Sequence, residues 1–568
     1  MRKERRGVAE AASEASGQGY GRRTLLHLTA GGAAIAAFAV GGFSYRFRDR
    51  HLAPGQLALS DQCVDAFLHE AVNFNPLLYM EAGPETAVEY SVFDTLWKID
   101  PSGQYVPNLA ERIPTVGNGG ISSDGLDWTI QLRRDVRWHD GKPFTARDVL
   151  FTLRVLMNPA IPVRSRNGQT NVEALSALDE HTVRIRLSRP FAAYMVALER
   201  TSIIPEHLLA MEPDLTRAPF NSRPIGTGPF RFQEHIAGDY IAFLPNLDYH
   251  GGKPAIGRLI QKYIPDQQTL FAQLQTGAVT VLDGKGIPAD LYERSRTDGR
   301  FNVVLAPAPY VEFLYFNLGR PQFADKQVRH AIHYAVDRTA WVDQLYYGLP
   351  EATLSYLPTS HWAYNHMLKA PPFDLDKARQ LLDAAGWLIQ SDGVRAKGDV
   401  RLTFTCSTAA GEKSREEAQL LLQQNLRDIG MEMAIHNMPG AVVYGDYTTN
   451  SEFDMVLVGW DPMFYPDPDY SERVASHLIP AKTGRGANYS QFSHPEVDQL
   501  CREGLATLDQ EERRRIYWRI QEILLEELPF IPIFSYRSAL GVSKQLKNFV
   551  PNPYTPCNSW NNAQWRMS

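Results

Sequence analysis

The chain has 568 residues, 44% apolar and 21% charged, which is too long for one core and ordinary for a globular protein of two or three domains. Its 64 acidic and 58 basic side chains leave a formal charge of -6, with no electrostatic footprint for nucleic acid or an anionic membrane surface. Cys63, Cys406, Cys501 and Cys557 are spread too far apart for a disulfide framework or a zinc pattern.

In chain order, a polar, basic lead (Arg2, Lys3, Arg5, Arg6) precedes Gly21-Arg22-Arg23-Thr24-Leu25-Leu26 and an Ala- and Gly-rich apolar run from Leu28 to Val40. This order predicts a twin-arginine export signal over residues 1–45, with Ala37-Phe38-Ala39 as a small-x-small site for cleavage after Ala39. The alternative is an uncleaved anchor, since Leu25 to Phe43 is nearly long enough to span and Arg46, Arg48 and Arg50 follow it. No long apolar segment recurs after Val40, so the body is expected to be soluble, and the signal before it to send it to the periplasm.

Period-two alternation in Trp128-Thr129-Ile130-Gln131-Leu132 and Val183-Arg184-Ile185-Arg186-Leu187 predicts strands with one buried face. Between them Thr145 can cap a helix carrying Val149, Leu150, Leu153, Leu156 and Met157, which ends before Pro159. From about Tyr310 strands and helices alternate: a strand at Val311 to Asn317, then a helix from Asp325 to Tyr347 with Val328, Ala331, Ile332, Ala335 and Val336 in one stripe and Gly348 at its end. Arg401 to Ser407 reads as a strand, and Ser414 with Glu417 as a capping box for a helix that carries Ala418, Leu421, Leu422, Leu426 and Ile429 and stops at Gly430. Strands at Met431 to Met438 and Phe453 to Trp460 follow, with a short helix near Ala441 to Tyr447 between them. This β-α-β-α-β order implies a parallel, doubly wound sheet. A last helix runs from Asp509 to Leu528 with Ile516, Ile520, Ile523 and Leu524 inward, stopped by Pro529. No repeat or low-complexity linker is present, so short crossing segments are expected to join the halves and to permit hinge motion.

In such sheets ligands lie beyond the carboxyl ends of the strands. Two loops qualify: Ser407-Thr408-Ala409-Ala410-Gly411, and the aromatic, proline-stiffened Trp460-Asp461-Pro462-Met463-Phe464-Tyr465-Pro466-Asp467-Pro468. Signatures of catalysis are weak. His69-Glu70-Ala71-Val72-Asn73 lacks the second histidine of a zinc-protease helix and reads as a helix surface. Gly226-Thr227-Gly228-Pro229-Phe230 lacks the third glycine of a dinucleotide loop and reads as a turn, as does Trp138-His139-Asp140-Gly141. No nucleophile elbow or phosphate loop is found, and neither a metal nor a cofactor is expected.

An ordered set of segments resembles the large extracytoplasmic solute-binding proteins of dipeptide, oligopeptide and nickel ABC importers. The set is Phe93-Asp94-Thr95-Leu96, Tyr105 to Ala110, Trp128 to Asp148, Pro224 to Phe230, Asn246 to Pro254, Val328 to Arg338, and the loop from Gly459-Trp460 to Asp467-Pro468. The resemblance implies a two-lobed, periplasmic-binding-protein-like α/β fold with a hinge and a central cleft: lobe I from 53–305 plus 531–568, and lobe II from 306–530. It also implies capture of a small polar solute without catalysis, delivery to a membrane permease and ATPase, and action as a monomer. Peptide binders of this family place an Asp in the aromatic loop for the ligand's amino end; here that position is Met463, or Phe464 when counted back from Asp467-Pro468. The Arg that dipeptide binders use for the ligand carboxylate falls on Thr408. Both departures argue against free dipeptides and for a neutral or capped ligand, because a buried charged terminus without a partner costs several kcal/mol. Oligosaccharides, modified peptides, longer peptides and nickel chelates all stay open. The candidate ligand contacts are Trp460, Asp461, Phe464, Tyr465, Ser407 and Thr408, with Arg164, Arg166, Arg200 and Asn75 from the first half. Two other readings stand beside this one: a secreted α/β hydrolase using His139, Asp140 and Asp461, and a sensor subunit for a membrane receptor.

Overall fold

The computed structural model describes residues 61–78, 83–166, 168–282, 286–460, 470–555 and 557–568; the expected export signal over 1–45 and the loop 461–469 lie outside them. The elements that position the site are, in chain order, β1 (Gln62–Phe67), α1 (Pro84–Val92), β2 (Asp127–Gln131), α2 (Ala146–Met157), β3 (Val172–Asp179), β4 (Thr182–Leu187), β5 (Phe230–Ile236), β6 (Tyr240–Pro245), β7 (Arg258–Tyr263) and β8 (Val281–Leu282). They continue with β9 (Phe301–Phe316), α3 (Lys326–Ala335), β10 (Thr403–Ser407), α4 (Lys413–Asp428), β11 (Glu432–Ile435), β12 (Met455–Trp460), α5 (Gln510–Glu527) and β13 (Phe530–Ser543).

Alternation makes β2 and β4 as expected: Trp128, Ile130, Val183, Ile185 and Leu187 are buried, and the two strands pair antiparallel in a three-stranded sheet with β3. Helix α2 begins at a reciprocal cap in which Thr145 Oγ1 accepts from the Arg147 amide and Asp148 Oδ2 from the Thr145 amide (2.9 Å), worth about 1 kcal/mol. Helix α5 opens on Asp509, whose carboxylate accepts from the Glu512 amide (2.8 Å), and buries Ile520, Ile523 and Leu524, while Ile516 is only half-buried. Each of those buried side chains contributes about 2 kcal/mol of apolar transfer.

The main sheet has eleven strands among the described residues, in the order β11-β10-β12-β9-β13-β8-β1-β7-β6-β5, with Glu351–Ala352 off the path on β13. The expected β10-β11-β12 unit is parallel, with β10 in the middle. The sheet as a whole is mixed, because β9 runs antiparallel to both β12 and β13. β9 and β13 run side by side at the middle of this sheet, β13 pairing with β8 at Gly541 and Val542 and β9 pairing with β12 at Val311–Phe316. Their ladder breaks in the middle: Pro307 faces Arg537 and Val311 faces Ser535, so residues 308–310 stand opposite Tyr536 alone, and a second irregularity follows at Glu312/Phe313.

Three local expectations are corrected. The helix from Asp325 stops at Ala335: Val336 is extended, Asn425 Nδ2 donates to the Ala335 carbonyl (3.0 Å), and Asp337 caps a new turn through the Ala340 amide (2.9 Å). The stripe Val328, Ala331, Ile332, Ala335 and Val336 is nonetheless buried. Ser414 is not a cap. It lies inside α4 with its hydroxyl on the Leu345 carbonyl (3.2 Å), and Glu416 instead reaches back to the Gly411 amide (2.9 Å). His69 to Asn73 lie in the loop after β1 rather than on a helix, with Glu70 Oε1 2.8 Å from His235 Nε2. Among the described residues no helix is long and apolar enough to cross a membrane.

Candidate functional site

Five of the seven segments that carry the resemblance converge on one buried knot. Asp94, 1% exposed, accepts from Asn108 Nδ2 (2.9 Å), Thr227 Oγ1 (3.1 Å) and the Tyr249 hydroxyl (3.2 Å), with Lys98 Nζ at 3.3 Å. Burial works against its charge, yet Lys98, His250 and the hydrogen bonds hold its carboxyl below the usual range. The Gly226 amide donates to His139 Nδ1 (3.2 Å) while Nε2–H donates to the Gly228 carbonyl (3.0 Å), an arrangement that requires the neutral Nε2–H tautomer. Burial pushes that imidazole down to about 4. The glycines do more than shape a turn: a Cβ at Gly226 would sit 1.7 Å from the Val92 carbonyl oxygen, and one at Gly228 2.7 Å from it. Asp140 is taken by His207 Nε2 (2.8 Å). This knot fastens α1 to the rest of its half and leaves His139 no free ring nitrogen for catalysis.

The carboxyl ends of β10 and β12 lie beside the β9–β13 crossing. There Glu312, on β9 just after the broken ladder, is 1% exposed and held by Arg415 of α4 through a two-pronged pair (Nε–Oε1 2.7 Å, Nη2–Oε2 3.0 Å) and by the Tyr536 hydroxyl (2.7 Å). Burial opposes the charge of Arg415, but Glu312 holds it firmly protonated, above its ordinary value. Gly459 permits this approach, since a Cβ there would meet Arg415 Nη2 at 2.7 Å. Arg415 Nη1 donates to the Tyr444 hydroxyl (2.9 Å), and the Tyr444 ring stands edge-on to Trp460 at 5.2 Å. Trp460 also meets Tyr489 (5.2 Å, 36°) and the Arg473 guanidinium (4.8 Å from the ring centre). A half-buried aromatic wall therefore ends β12, tied to the crossing strands through one buried ion pair.

The residues expected to touch ligand fall into distinct places. Trp460 is in this wall. Asp461, Phe464 and Tyr465 lie outside the described residues. Ser407 and Thr408 are fully buried with their hydroxyls engaged, Ser407 with Tyr447 (3.0 Å) and Thr408 with the Leu457 carbonyl (2.8 Å), and the Thr408 amide donates to Asn437 Oδ1 (3.1 Å). They shape the loop from beneath. In the first half Arg164 pairs with Glu89 (3.1 Å) and donates to the Arg200 carbonyl (3.1 Å), while Arg200 donates to the Tyr554 carbonyl (2.8 Å) and lies 3.3 Å from Glu199. Burial, against the pull of Arg200, pushes the Glu199 carboxyl up to about 7. Arg166 donates to the Leu156 and Ile161 carbonyls and so closes the end of α2. Asn75 is buried, donating to Asn221 Oδ1 (3.0 Å) and accepting from the Leu77 amide (3.1 Å). Tyr444, Tyr489, Arg415 and Arg473 escaped the sequence reading. One signal was available: a lone carboxylate, Glu312, within the apolar strand Val311 to Phe316 demands a buried cation. Among the described residues no group of three or more His, Cys, Asp or Glu is placed to hold a metal ion.

Comparison with known proteins agrees with this architecture. Residues 104–477 match the family model described as bacterial extracellular solute-binding proteins, family 5 middle. The oligopeptide-binding protein AppA of Bacillus subtilis is 28% identical over 494 residues, 85% of this chain and 88% of that protein. Its solved structure in complex with a nonapeptide is 26% identical with a TM-score of 0.70, covering 89% of this chain and 99% of the other. NikZ from Campylobacter jejuni, solved with Ni(L-His), is 28% identical with a TM-score of 0.72, covering 89% and 100%. The fold is accordingly of the periplasmic-binding-protein type, and the chain belongs to the bacterial extracellular solute-binding proteins of family 5.

Proposed function

We propose that this chain, the solute-binding component of an ABC importer, closes around a small polar ligand in a cleft between lobe I (53–305 plus 531–568) and lobe II (306–530). It releases that ligand unaltered to the membrane permease and ATPase. It works as a monomer outside the cytoplasm, after export by the twin-arginine route. The observation that carries the cleft reading is the paired crossing of β9 and β13 with its ladder broken at residues 308–310, next to an aromatic wall at the carboxyl end of β12. A ladder that lacks pairing at one level bends there at low cost, so the ligand has only to supply the difference in affinity between open and closed forms. Driving the population from 1:99 to 99:1 takes about 5.5 kcal/mol, the scale of one stacked ring and several hydrogen bonds.

The ligand contacts in this reading are Trp460, Tyr444 and the loop residues Asp461, Phe464 and Tyr465, with Arg164 and Arg200 as supporting residues, since both are already paired within the fold. Thr408 is a supporting residue, since its hydroxyl and amide are already used within the fold. A neutral or end-capped peptide-like ligand fits best, because Met463 and Thr408 supply neither an anion for an amino end nor a cation for a carboxylate. The full engagement of His139 and the pairing of Asp140 with His207 speak against the hydrolase. The test is mass spectrometry of the solute that co-purifies with the exported protein, followed by calorimetry of that solute with Trp460→Ala. The variant is expected to bind roughly thirtyfold more weakly, about 2 kcal/mol, with unchanged circular dichroism. Equal affinity removes Trp460 from the site.

A further inference from the structure

Lobe II touches lobe I outside the paired strands β9 and β13. The Ala192 amide, soon after β4, donates to the Leu505 carbonyl (2.8 Å) at the end of the helix Pro495–Ala506. Three residues on, Leu508 covers Gly125: a Cβ there would meet Leu508 Cδ1 at 3.2 Å and Pro190 Cβ at 3.4 Å. Leu508 packs against the first-half core that holds Trp128 and Leu187. Both partners are held before they meet. The Trp128 indole donates to the Gly125 carbonyl (3.1 Å) and the Gly125 amide to the Ser122 carbonyl (2.9 Å), which fixes the turn before β2. On the other side Arg513 Nε of α5 donates to the Gly504 carbonyl (3.1 Å), and a Cβ on Gly504 would come within 2.7 Å of the Tyr517 ring. The next residue, Arg514, donates to the Trp362 carbonyl (3.1 Å) and steadies a second contact with lobe I. There the Tyr554 hydroxyl donates to the Ser360 carbonyl (3.3 Å), and the His361 ring stands edge-on to Tyr554. Successive arginines at the start of α5 therefore hold both tips that reach lobe I.

We propose that the tip Leu505–Leu508 is a clasp: seated on Gly125, Pro190 and Ala192, it holds lobe II shut against lobe I, with Leu508 as its positioning residue. This inference rests on the reading of two lobes that close around a solute. Leu505 and Leu508 are half-buried where they lie, and opening the cleft returns both to water and exchanges the partner of the Ala192 amide for solvent. A fixed turn, a proline and a helix-anchored tip lose little freedom on meeting, so a small apolar contact is enough to bias the closed form. Each tenfold by which the clasp favours closure is a tenfold that the ligand does not have to supply. That suits a ligand without charged ends, since neither Met463 nor Thr408 offers it an ionic anchor.

The experiment uses the full chain as exported and follows hydrogen–deuterium exchange at the Ala192 amide by fragmentation mass spectrometry. The Ile185 amide, in the middle strand of its own three-stranded sheet, is the control. In Leu508→Ser the Ala192 amide is expected to exchange on the order of tenfold faster, with the Ile185 amide and the circular dichroism unchanged. An unchanged Ala192 rate overturns the inference. So does a wild-type Ala192 amide that opens no more often than Ile185, which marks a permanent interface. Should the serine variant fail to fold, Leu508→Ala is measured in the same way and is expected to speed Ala192 exchange severalfold; no change overturns the inference. Small-angle X-ray scattering of the wild type, with its co-purified solute and after that solute is removed, separates the clasp from the reading beneath it. A chain that contracts with solute while the exchange tests fail loses only the clasp. A chain that carries no solute, or has the same dimensions with and without it, loses the closing lobes.

Discussion

Replacing Arg415 by Met is the sharpest probe of how the ligand wall is held. The side chain is 11% exposed and its partner Glu312 1%, so solvent screens the pair little. The change removes both prongs of the ion pair, at 2.7 and 3.0 Å, and the bond to the Tyr444 hydroxyl, leaving the Glu312 carboxylate with the Tyr536 hydroxyl alone. Taking one partner from a buried pair costs about 3–5 kcal/mol, chiefly because an uncompensated charge stays behind. The second change, Glu312→Gln, removes that charge, and the double variant should recover at least half of the loss, as coupled neighbours do. Urea unfolding at neutral pH, with midpoints compared at unchanged slope, reads both quantities. A loss below about 1 kcal/mol for Arg415→Met, or a double variant that loses the sum of the two singles, would refute the account of a buried, mutually dependent pair. The same variants should shift tryptophan emission, because Tyr444 no longer has a fixed hydroxyl partner and its ring stands against Trp460.

The remaining predictions concern the knot in the first half. His139 sits near 4 when folded, against about 6.5 when unfolded, so its neutral form contributes stability that is fully present above about pH 6.5 and lost as pH falls toward 4. The share is on the order of 3 kcal/mol, and His139→Gln should unfold with a visibly flatter pH dependence over that interval; identical slopes would remove His139 from the account. Gly226→Ala places a methyl group 1.7 Å from a backbone oxygen and should cost at least about 4 kcal/mol, whereas Gly238→Ala meets nothing within 4 Å and should cost about 1–2 kcal/mol from its φ of +75° alone. Equal melting temperatures for the two glycine variants would show that the close approach to Val92 is not what selects Gly226.

Local elements were legible because their causes are local. Period-two burial makes β2 and β4, the Thr145 cap starts α2, the Asp509 cap starts α5, and the β10-α4-β11-β12 order yields its parallel strands. Errors arose where another partner outbid the pattern: distant Asn425 and the nearby cap Asp337 cut the helix from Asp325 short, and distant Leu345 drew Ser414 away from capping. The resemblance was legible for a physical reason as well. Five of its seven segments meet around Asp94 and His139, where a buried carboxylate and a neutral imidazole need specific hydrogen-bond partners. Such a knot holds the fold together and says little about cargo, and so the ligand contacts were the least legible part of the sequence.

By itself, then, the order of amino acids determined the kind of fold, the strands and helices with strong periodicity, and Trp460 as part of an aromatic end to β12. Only the tertiary structure decided that two long strands share the crossing, that Ser407, Thr408, Asn75 and Arg166 spend their polar atoms within the fold, and that Arg415 and Arg473 organise the wall. The division has one cause. Periodicity and capping act over a few residues and are written along the chain, whereas the partner of a buried polar group can lie a hundred or more residues away, as Arg415 does from Glu312, and is fixed only when the chain has folded.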